Sequence, residues 1–533
     1  METPRATPTL GHSHPVVPCR AASSTDEAHC AAESRKFVLI VSVIGSALAF
    51  MDGSVVNVAL PALQGVFHST SAETQWIVQS YALFCSALLL LGGTLGDHLG
   101  RSRVFAWGVV IFAAASAACA GAQTLGQLVG ARAIQGIGAA LLIPQGLAML
   151  SEAFPAEERA HAIGIWSAWT SVFVALGPIL GGTLVQYGRW RWIFLLNLPF
   201  TILIFVLMPR MRMARPAADS GLRQLDYLGA ALSTLGFGAI IYAFSFGPQL
   251  GWQDMRVEGS LIAGAAFLAA FLWSQHSRPN AMMPLALFRN RRFAAINLLT
   301  LVIYGALGGA LYIIPFFLIQ VRHFTPSESG AALLPMILIM FTLSSRVGAA
   351  ASKFGESRFL ITGTGIVALS FTLFALLANR TGYVTSILPG VAALGLGMTL
   401  LVAPLTNVVM SSVPQKQTGV ASAVNNSISR TASLLFLSIA VLVLATQFNS
   451  TLRHLLEASS LPQGMRDAVF GNRAMMLGLP VPTQFGLAPA TAAHTMVDAA
   501  FVRGFQTVMY ACAGTTLLGL ASIFLTGAKG ADK

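Results

Sequence analysis

Long apolar stretches alternate with short polar ones along nearly the whole chain. A helix that crosses a bilayer needs roughly 20 consecutive, mostly apolar residues, and the chain supplies about fourteen such runs. They fall at approximately 37–61, 76–96, 103–122, 125–150, 161–186, 191–209, 226–247, 258–275, 293–319, 328–350, 358–378, 383–409, 418–447 and 500–526. Runs of this length are too long for strands, so the pattern predicts an all-α polytopic membrane protein. Residues 1–36 are polar and lack an apolar core followed by a cleavage pattern, which predicts a disordered tail rather than a signal peptide. Residues 449–498 contain Pro, Gly and Met without a continuous apolar run and predict one long loop, and 527–533 form a second short tail.

Composition excludes the soluble classes. Of 533 residues 55% are hydrophobic and 10% charged, with mean hydropathy +0.70, so too little polar surface exists to cover a water-soluble globule. The net charge of +12 would suggest nucleic acid in a soluble protein, but here it is read loop by loop, because basic residues collect on the cytoplasmic side. Of the 32 Lys and Arg residues, about twenty fall on the side of the amino terminus and about eight on the other, which predicts cytoplasmic termini. The five cysteines are scattered without metal-ligand spacing. His12 and His14 belong to the polar tail and read as solvated.

A repeat organises the spans. Gly93-Thr-Leu-Gly-Asp97-His-Leu-Gly100-Arg101-Ser-Arg103 is echoed by Gly348-Ala-Ala-Ala-Ser352-Lys353-Phe-Gly355-Glu-Ser-Arg358, and both stand as loops between apolar runs. The first joins spans two and three, the second joins spans ten and eleven. If each repeat is a bundle of six helices, the extra two lie between the bundles. This predicts a first bundle over 37–209, linkers with two inserted helices over 210–292, and a second bundle over 293–526.

Charges inside spans are expensive and need an account. Asp52 lies well inside the first span, where desolvation disfavours the charged carboxylate and allows it to take up and release a proton. The alternative is a carboxyl that hydrogen-bonds a neighbouring helix or caps a helix distortion near Gly53. Arg132 lies in the fourth span with Gln135 and Gly136 on its face. Its guanidinium stays protonated and must pair, either permanently or in a way that changes when a nearby acid is protonated. Gly177-Pro178 and Gly181-Gly182 predict a kinked, closely packed fifth span. Asn57, Gln135, Trp169, Tyr304 and Tyr312 are candidates to line an apolar substrate cavity, with helix packing or interfacial anchoring as the alternative for the aromatic residues. Arg430 shares a face with Asn426 near the start of the thirteenth run. No phosphate-binding Gly-rich loop, His-Glu-x-x-His motif or Ser nucleophile elbow occurs, so neither ATP hydrolysis, enzymatic chemistry, a metal nor a cofactor is expected.

In this order the motifs resemble the major facilitator superfamily, most closely its fourteen-span drug:proton antiporter subfamily. The resemblance covers most of 37–526 and rests on Phe50 to Pro61, Gly93 to Arg103, Leu128 to Ala140, Gly177 to Gly182, and Trp190 to Pro199. Ser54 stands where Thr is usual, Phe173 where a small residue is usual, and Thr431 to Ser438 lacks the glycines that often follow the Arg. The resemblance implies two six-helix bundles rocking about a central site, with Asp52 and Arg132 in proton coupling. It also implies a cytoplasmic gate of Gly93, Asp97, Gly100, Arg101 and Arg103 closing against the other bundle, and an antiporter helix marked by Gly177, Pro178, Gly181 and Gly182. The expected function is proton-coupled export of drugs or other small amphipathic compounds across the bacterial inner membrane, by a monomer whose partners are substrate, protons and lipid rather than nucleic acid. An uptake symporter or a dedicated siderophore or metabolite carrier is the alternative on the same fold, and a non-transporting receptor or scaffold the alternative of another class.

Overall fold

The computed structural model describes residues 32–211, 226–278, 281–414, 417–479 and 481–525. Among the described residues no strand occurs, and twelve helices are long and apolar enough to cross a membrane. The first half contains α1 (Ala32–Phe67), α2 (Ser71–Leu99), α3 (Arg101–Gly121), α4 (Leu125–Ala153), α5 (Ala156–Gln186), α6 (Arg191–Leu195) and α7 (Asn197–Leu207). Next come α8 (Tyr227–Leu250) and α9 (Met255–Ser277). The second half contains α10 (Arg291–Phe316), α11 (Pro326–Ala331), α12 (Leu334–Phe354), α13 (Glu356–Leu377), α14 (Tyr383–Ser386), α15 (Leu388–Ser411), α16 (Thr418–Glu457), α17 (Gln463–Gly471) and α18 (Leu487–Leu525). A helix thus stands at every apolar run of the sequence, including α5 and α18, which are outside the twelve.

Helix starts follow local chemistry. Thr70 with Glu73, Thr124 with Gln127 and Thr325 with Glu328 each form a reciprocal capping box, in which the threonine hydroxyl accepts from a backbone N–H that the helix leaves unpaired. In a chain that alternates direction, these three starts lie at one end of the molecule, called here the Thr70 end. At the opposite end the two repeat loops are much shorter than the sequence suggested. Helix α2 runs on to Leu99 and α3 starts at Arg101, leaving Gly100 alone as the joint; likewise Gly355 alone joins α12 to α13. Gly100 has φ 97 and ψ 124, and Gly355 has φ 94 and ψ 123. A side chain at either position would be strained, so glycine supplies a one-residue reversal in the same conformation twice. The two motifs therefore agree in backbone as well as in letters.

Two further expectations change. The tail predicted to reach residue 36 yields to helix from Ala32, while 1–31, the linker 212–225 and 526–533 lie outside the described residues. The loop predicted over 449–498 is largely helical, because α16 continues to Glu457, α17 follows, and α18 begins at Leu487. Phe448, Leu452 and Leu456 recur every four residues and are buried, as are Ala490, Ala493, Val497 and Ala500. Amphipathic stripes of that kind sustain a helix without a continuous apolar run.

Helix packing falls into two groups. In the first, α4 packs on α1, α2 and α3, and α5 packs on α1; in the second, α10 packs on α16 and α18, and α15 on α12 and α13. Helices α8 and α9 pack on each other, and α8 also touches α2 and α16, one from each group. The groups meet directly where α5 touches α11 and where α2 touches α16.

Candidate functional site

The fourth and first helices bring Arg132 and Asp52 together across 80 residues of sequence, with both side chains fully enclosed. Arg132 Nη1 donates to Asp52 Oδ2 and to Gln135 Oε1, the latter at 2.7 Å, while Nε donates to the Ile77 carbonyl at 3.1 Å. The guanidinium carbon stands 4.2 Å from the centre of the Tyr81 ring, whose hydroxyl donates to the Ala49 carbonyl at 2.9 Å. Asp52 Oδ1 accepts from Gln135 Nε2 at 2.9 Å and from Asn197 Nδ2 at 3.0 Å. Ser116 Oγ accepts from both amides, at 3.3 and 2.9 Å, and donates to the Phe194 carbonyl at 2.9 Å. Six helical segments, α1, α2, α3, α4, α6 and α7, thus supply one polar cluster. Small residues make that convergence possible, since a Cβ on Gly136 would fall 2.4 Å from the Tyr81 carbonyl oxygen.

A charge pair without water survives only if nearly every partner is in place. Here the carboxylate has three donors and the guanidinium is held by two further acceptors and an aromatic face. Arg132 Nη2 and Asn197 Oδ1 are enclosed without a partner among the described residues. Gln135, a candidate for the substrate cavity, bridges the two charges. In the sequence Asn197 stands out only as part of the Trp190 to Pro199 run; its place beside Asp52 emerges only when α7 packs against α1.

Helix α5 lies between α1 and α11. The side facing α1 carries Gly177 and Gly181, where a Cβ would meet Ser54 Oγ at 2.1 Å and the Val55 carbonyl oxygen at 2.8 Å. The other side carries Gly182, where a Cβ would fall 2.2 Å from the Pro326 carbonyl oxygen. The contact is mutual, because a Cβ on Gly330 would fall 2.2 Å from the carbonyl oxygen of Pro178. The two groups of helices are therefore in backbone contact at the Thr70 end. Nearby, Gln186 Oε1 accepts from Ser327 Oγ, and Gln64 Nε2 donates to the Met475 carbonyl at 2.9 Å.

Residues 42–437 match the sequence profile of the Major Facilitator Superfamily. The chain belongs to that superfamily. It is 31% identical to the multidrug resistance protein Stp of Mycobacterium tuberculosis, over 92% of this chain and 90% of that protein. It is 29% identical to the tetracenomycin C resistance and export protein of Streptomyces glaucescens, over 91% and 90% of the two chains. Among solved structures, a bacterial homologue of the human lysosomal transporter Spinster aligns with TM-score 0.62 and 17% identity, covering 93% of this chain and 97% of that one. This last likeness speaks for the fold: an all-α, multi-pass membrane protein of the facilitator type.

Within this facilitator, the remaining candidates are distributed as follows. Arg101 pairs with Asp97 at 3.2 Å, with the Ala148 carbonyl at 2.7 Å and with Glu152 at 3.6 Å. These partners belong to α2 and α4, so this candidate gate residue is tied inside its own group of helices, where the resemblance implied a contact across the two. Arg103 is exposed. Gly93 has room for a side chain, its nearest neighbour being Pro144 Cβ at 3.7 Å. The close α2–α4 approach is made instead by Gly92, where a Cβ would fall 2.2 Å from the Ala140 carbonyl oxygen. Trp169 is 55% exposed, and Asn57 and Tyr304 are half-buried. Tyr312 is buried and lines, with Gln64 and Met476, a cavity of about 20 Å³. Such a volume holds a water rather than a drug. Arg430 reaches from α16 to Cys85 Sγ at 3.8 Å and stands 5.3 Å from the Phe50 ring.

Proposed function

We propose that this facilitator is a proton-coupled antiporter that exports drugs or other small amphipathic compounds across a bacterial inner membrane. The observation that carries the reading is the enclosed Asp52–Arg132 pair with its Gln135 and Asn197 donors, a costly arrangement in a membrane helix that a passive scaffold does not need. Similarity to resistance proteins, one of them named for export, supports the outward direction.

In this reading the first and second helix groups are six-helix bundles, and α8 with α9 is an insert between them. The Lys and Arg count puts the Gly100 end in the cytoplasm, so the seal between α5 and α11 is the outer one, and the conformer is closed outward. Substrate is taken up while Asp52 is ionised, the bundles rock, substrate leaves outward, and a proton from outside neutralises Asp52. A protonated Asp52 is a donor, and Asn197 Oδ1 is an acceptor without a competing partner among the described residues. Arg132 would then rest on Gln135, Ile77 and Tyr81, loosening α1 from α4. The Asp97–Arg101 pair would exchange partners as the cytoplasmic side closes. One proton descending 100 mV and one pH unit supplies about 3.7 kcal/mol, enough for a roughly five-hundredfold gradient of a neutral substrate.

The test is proton movement in inverted membrane vesicles. Adding a drug that the protein exports should collapse an imposed proton gradient with wild type and not with Asp52→Asn. Equal collapse with both proteins removes Asp52 from the coupling path; no collapse with a broad panel of cationic and neutral drugs removes antiport.

A further inference from the structure

Apart from the buried cluster, a cavity of about 260 Å³ lies where α8 and α9 lean on α2 and α16. Its body is formed by side chains such as Leu83, Phe237, Phe271, Ile428 and Leu435, and among the described residues no acidic, basic or histidine side chain lines it. Met282 and Met283 also line it. Their backbone N–H groups are held by Asp226 Oδ2 at 3.4 Å and Gln275 Oε1 at 2.9 Å. That carboxylate is occupied elsewhere, by the Gly229 N–H, Gln275 Nε2 and the Arg278 guanidinium.

Two observations say what the cavity takes. Leu272 belongs both to the cavity wall and to the outer surface, where it is 49% exposed beside the more exposed Trp273. In a membrane helix that surface faces lipid, so the way in is sideways from the bilayer. Second, Ser86 of α2 and Ser427 and Thr431 of α16 line the cavity, and their hydroxyls make no hydrogen bond among the described residues. The two on α16 are one turn apart. Unpaired hydroxyls in an apolar medium favour an occupant that brings a hydrogen-bonding oxygen, whereas the absence of a lining carboxylate disfavours a cation.

We propose that this cavity binds an uncharged, lipid-soluble molecule, an apolar body carrying a hydrogen-bonding oxygen, that enters from the bilayer past Leu272. The occupant contacts Ser86, Ser427 and Thr431 through that oxygen and Phe237 and Phe271 through its body. Two sources share this chemistry: the chain and ester region of a membrane lipid, and a neutral compound dissolved in the membrane. The site lies on the seam between the two helix groups, where Gln79 Nε2 donates to Ser438 Oγ at 2.6 Å, so an occupant bears on the contact that must change when the halves move.

Photolabelling of the full-length protein in phospholipid nanodiscs tests the site without reference to transport, so failure of proton coupling would leave it standing. Benzophenone is uncharged, carries one carbonyl acceptor and labels nearby side chains on illumination; a phosphatidylcholine with a diazirine in its acyl chain reports the lipid source. Saturable labelling of Met282 or Met283 is expected with at least one probe, and which probe labels identifies the source. Ala87→Trp, which fills the cavity, should lower that labelling about fivefold or more, as should the pair Ser427→Ala and Thr431→Val, which keeps the packing and removes the hydroxyls. Labelling at Met282 and Met283 no higher than at the lipid-facing Ile262 with both probes, or unchanged in both variants, overturns the proposal.

Discussion

Replacing Asp52 by Asn removes one negative charge from a site where the Arg132 guanidinium is also fully enclosed. The amide can still accept from Asn197 and Gln135, and Arg132 keeps Gln135, the Ile77 carbonyl and the Tyr81 face. What is lost is charge neutrality. Breaking a buried pair by removing one partner costs about 3–5 kcal/mol, and the surviving hydrogen bonds place this case near the lower limit, a factor of roughly 150 in the folded-to-unfolded ratio. The double variant Asp52→Asn with Arg132→Met removes both charges and should return most of that stability, because no uncompensated cation remains. Thermal unfolding in detergent measures the stabilities, and drug-driven proton flux in inverted vesicles measures the coupling. A coupling pair predicts that the double variant is stable and uncoupled. A double variant that is both stable and coupled at the wild-type rate would reduce the pair to a structural tie and refute the mechanism. Wild-type stability in the single variant would refute the energetic argument beneath it.

Other expectations are as direct. Asn197→Ala removes a donor to Asp52 and to Ser116, so drug-driven proton flux should fall about tenfold while the protein folds and binds drug, measured by flux and equilibrium binding. Gly92→Ala drives a Cβ into the backbone of α4 and should cost about 1–3 kcal/mol, whereas Gly93→Ala is tolerated; thermal unfolding of the two variants separates them. Gly330→Val wedges α11 from α5, so an impermeant maleimide applied from outside should label Ser327→Cys several times faster in that background than alone.

Much of this protein is legible in its sequence because a bilayer imposes its rule locally. Each crossing must be about 20 apolar residues with its backbone bonds closed inside the segment, so each apolar run could be marked as a helix, and a charge such as Asp52 or Arg132 stands out against its surroundings. The helices beyond the apolar runs were harder to see. The extension of α16 to Glu457 and the early start of α18 follow amphipathic stripes, not continuous apolarity.

The sequence by itself determined the all-helical membrane class, the repeated motif of Gly93 to Arg103 and Gly348 to Arg358, and the two intramembrane charges that needed explaining; that Gly100 and Gly355 are one-residue joints came with the structure. Tertiary structure alone decided that those charges meet, that Gln135 and Asn197 hold them, that Arg101 is tied to α4, and that Gly182 and Gly330 join the two groups of helices. The physical reason is a difference in range: the cost of polarity in a membrane acts on each residue where it stands, while partnership depends on which helix faces come within hydrogen-bonding distance after packing. Asp52 and Arg132 are 80 residues apart, Cys85 and Arg430 345, and nothing in their local neighbourhoods specifies the other member of the pair.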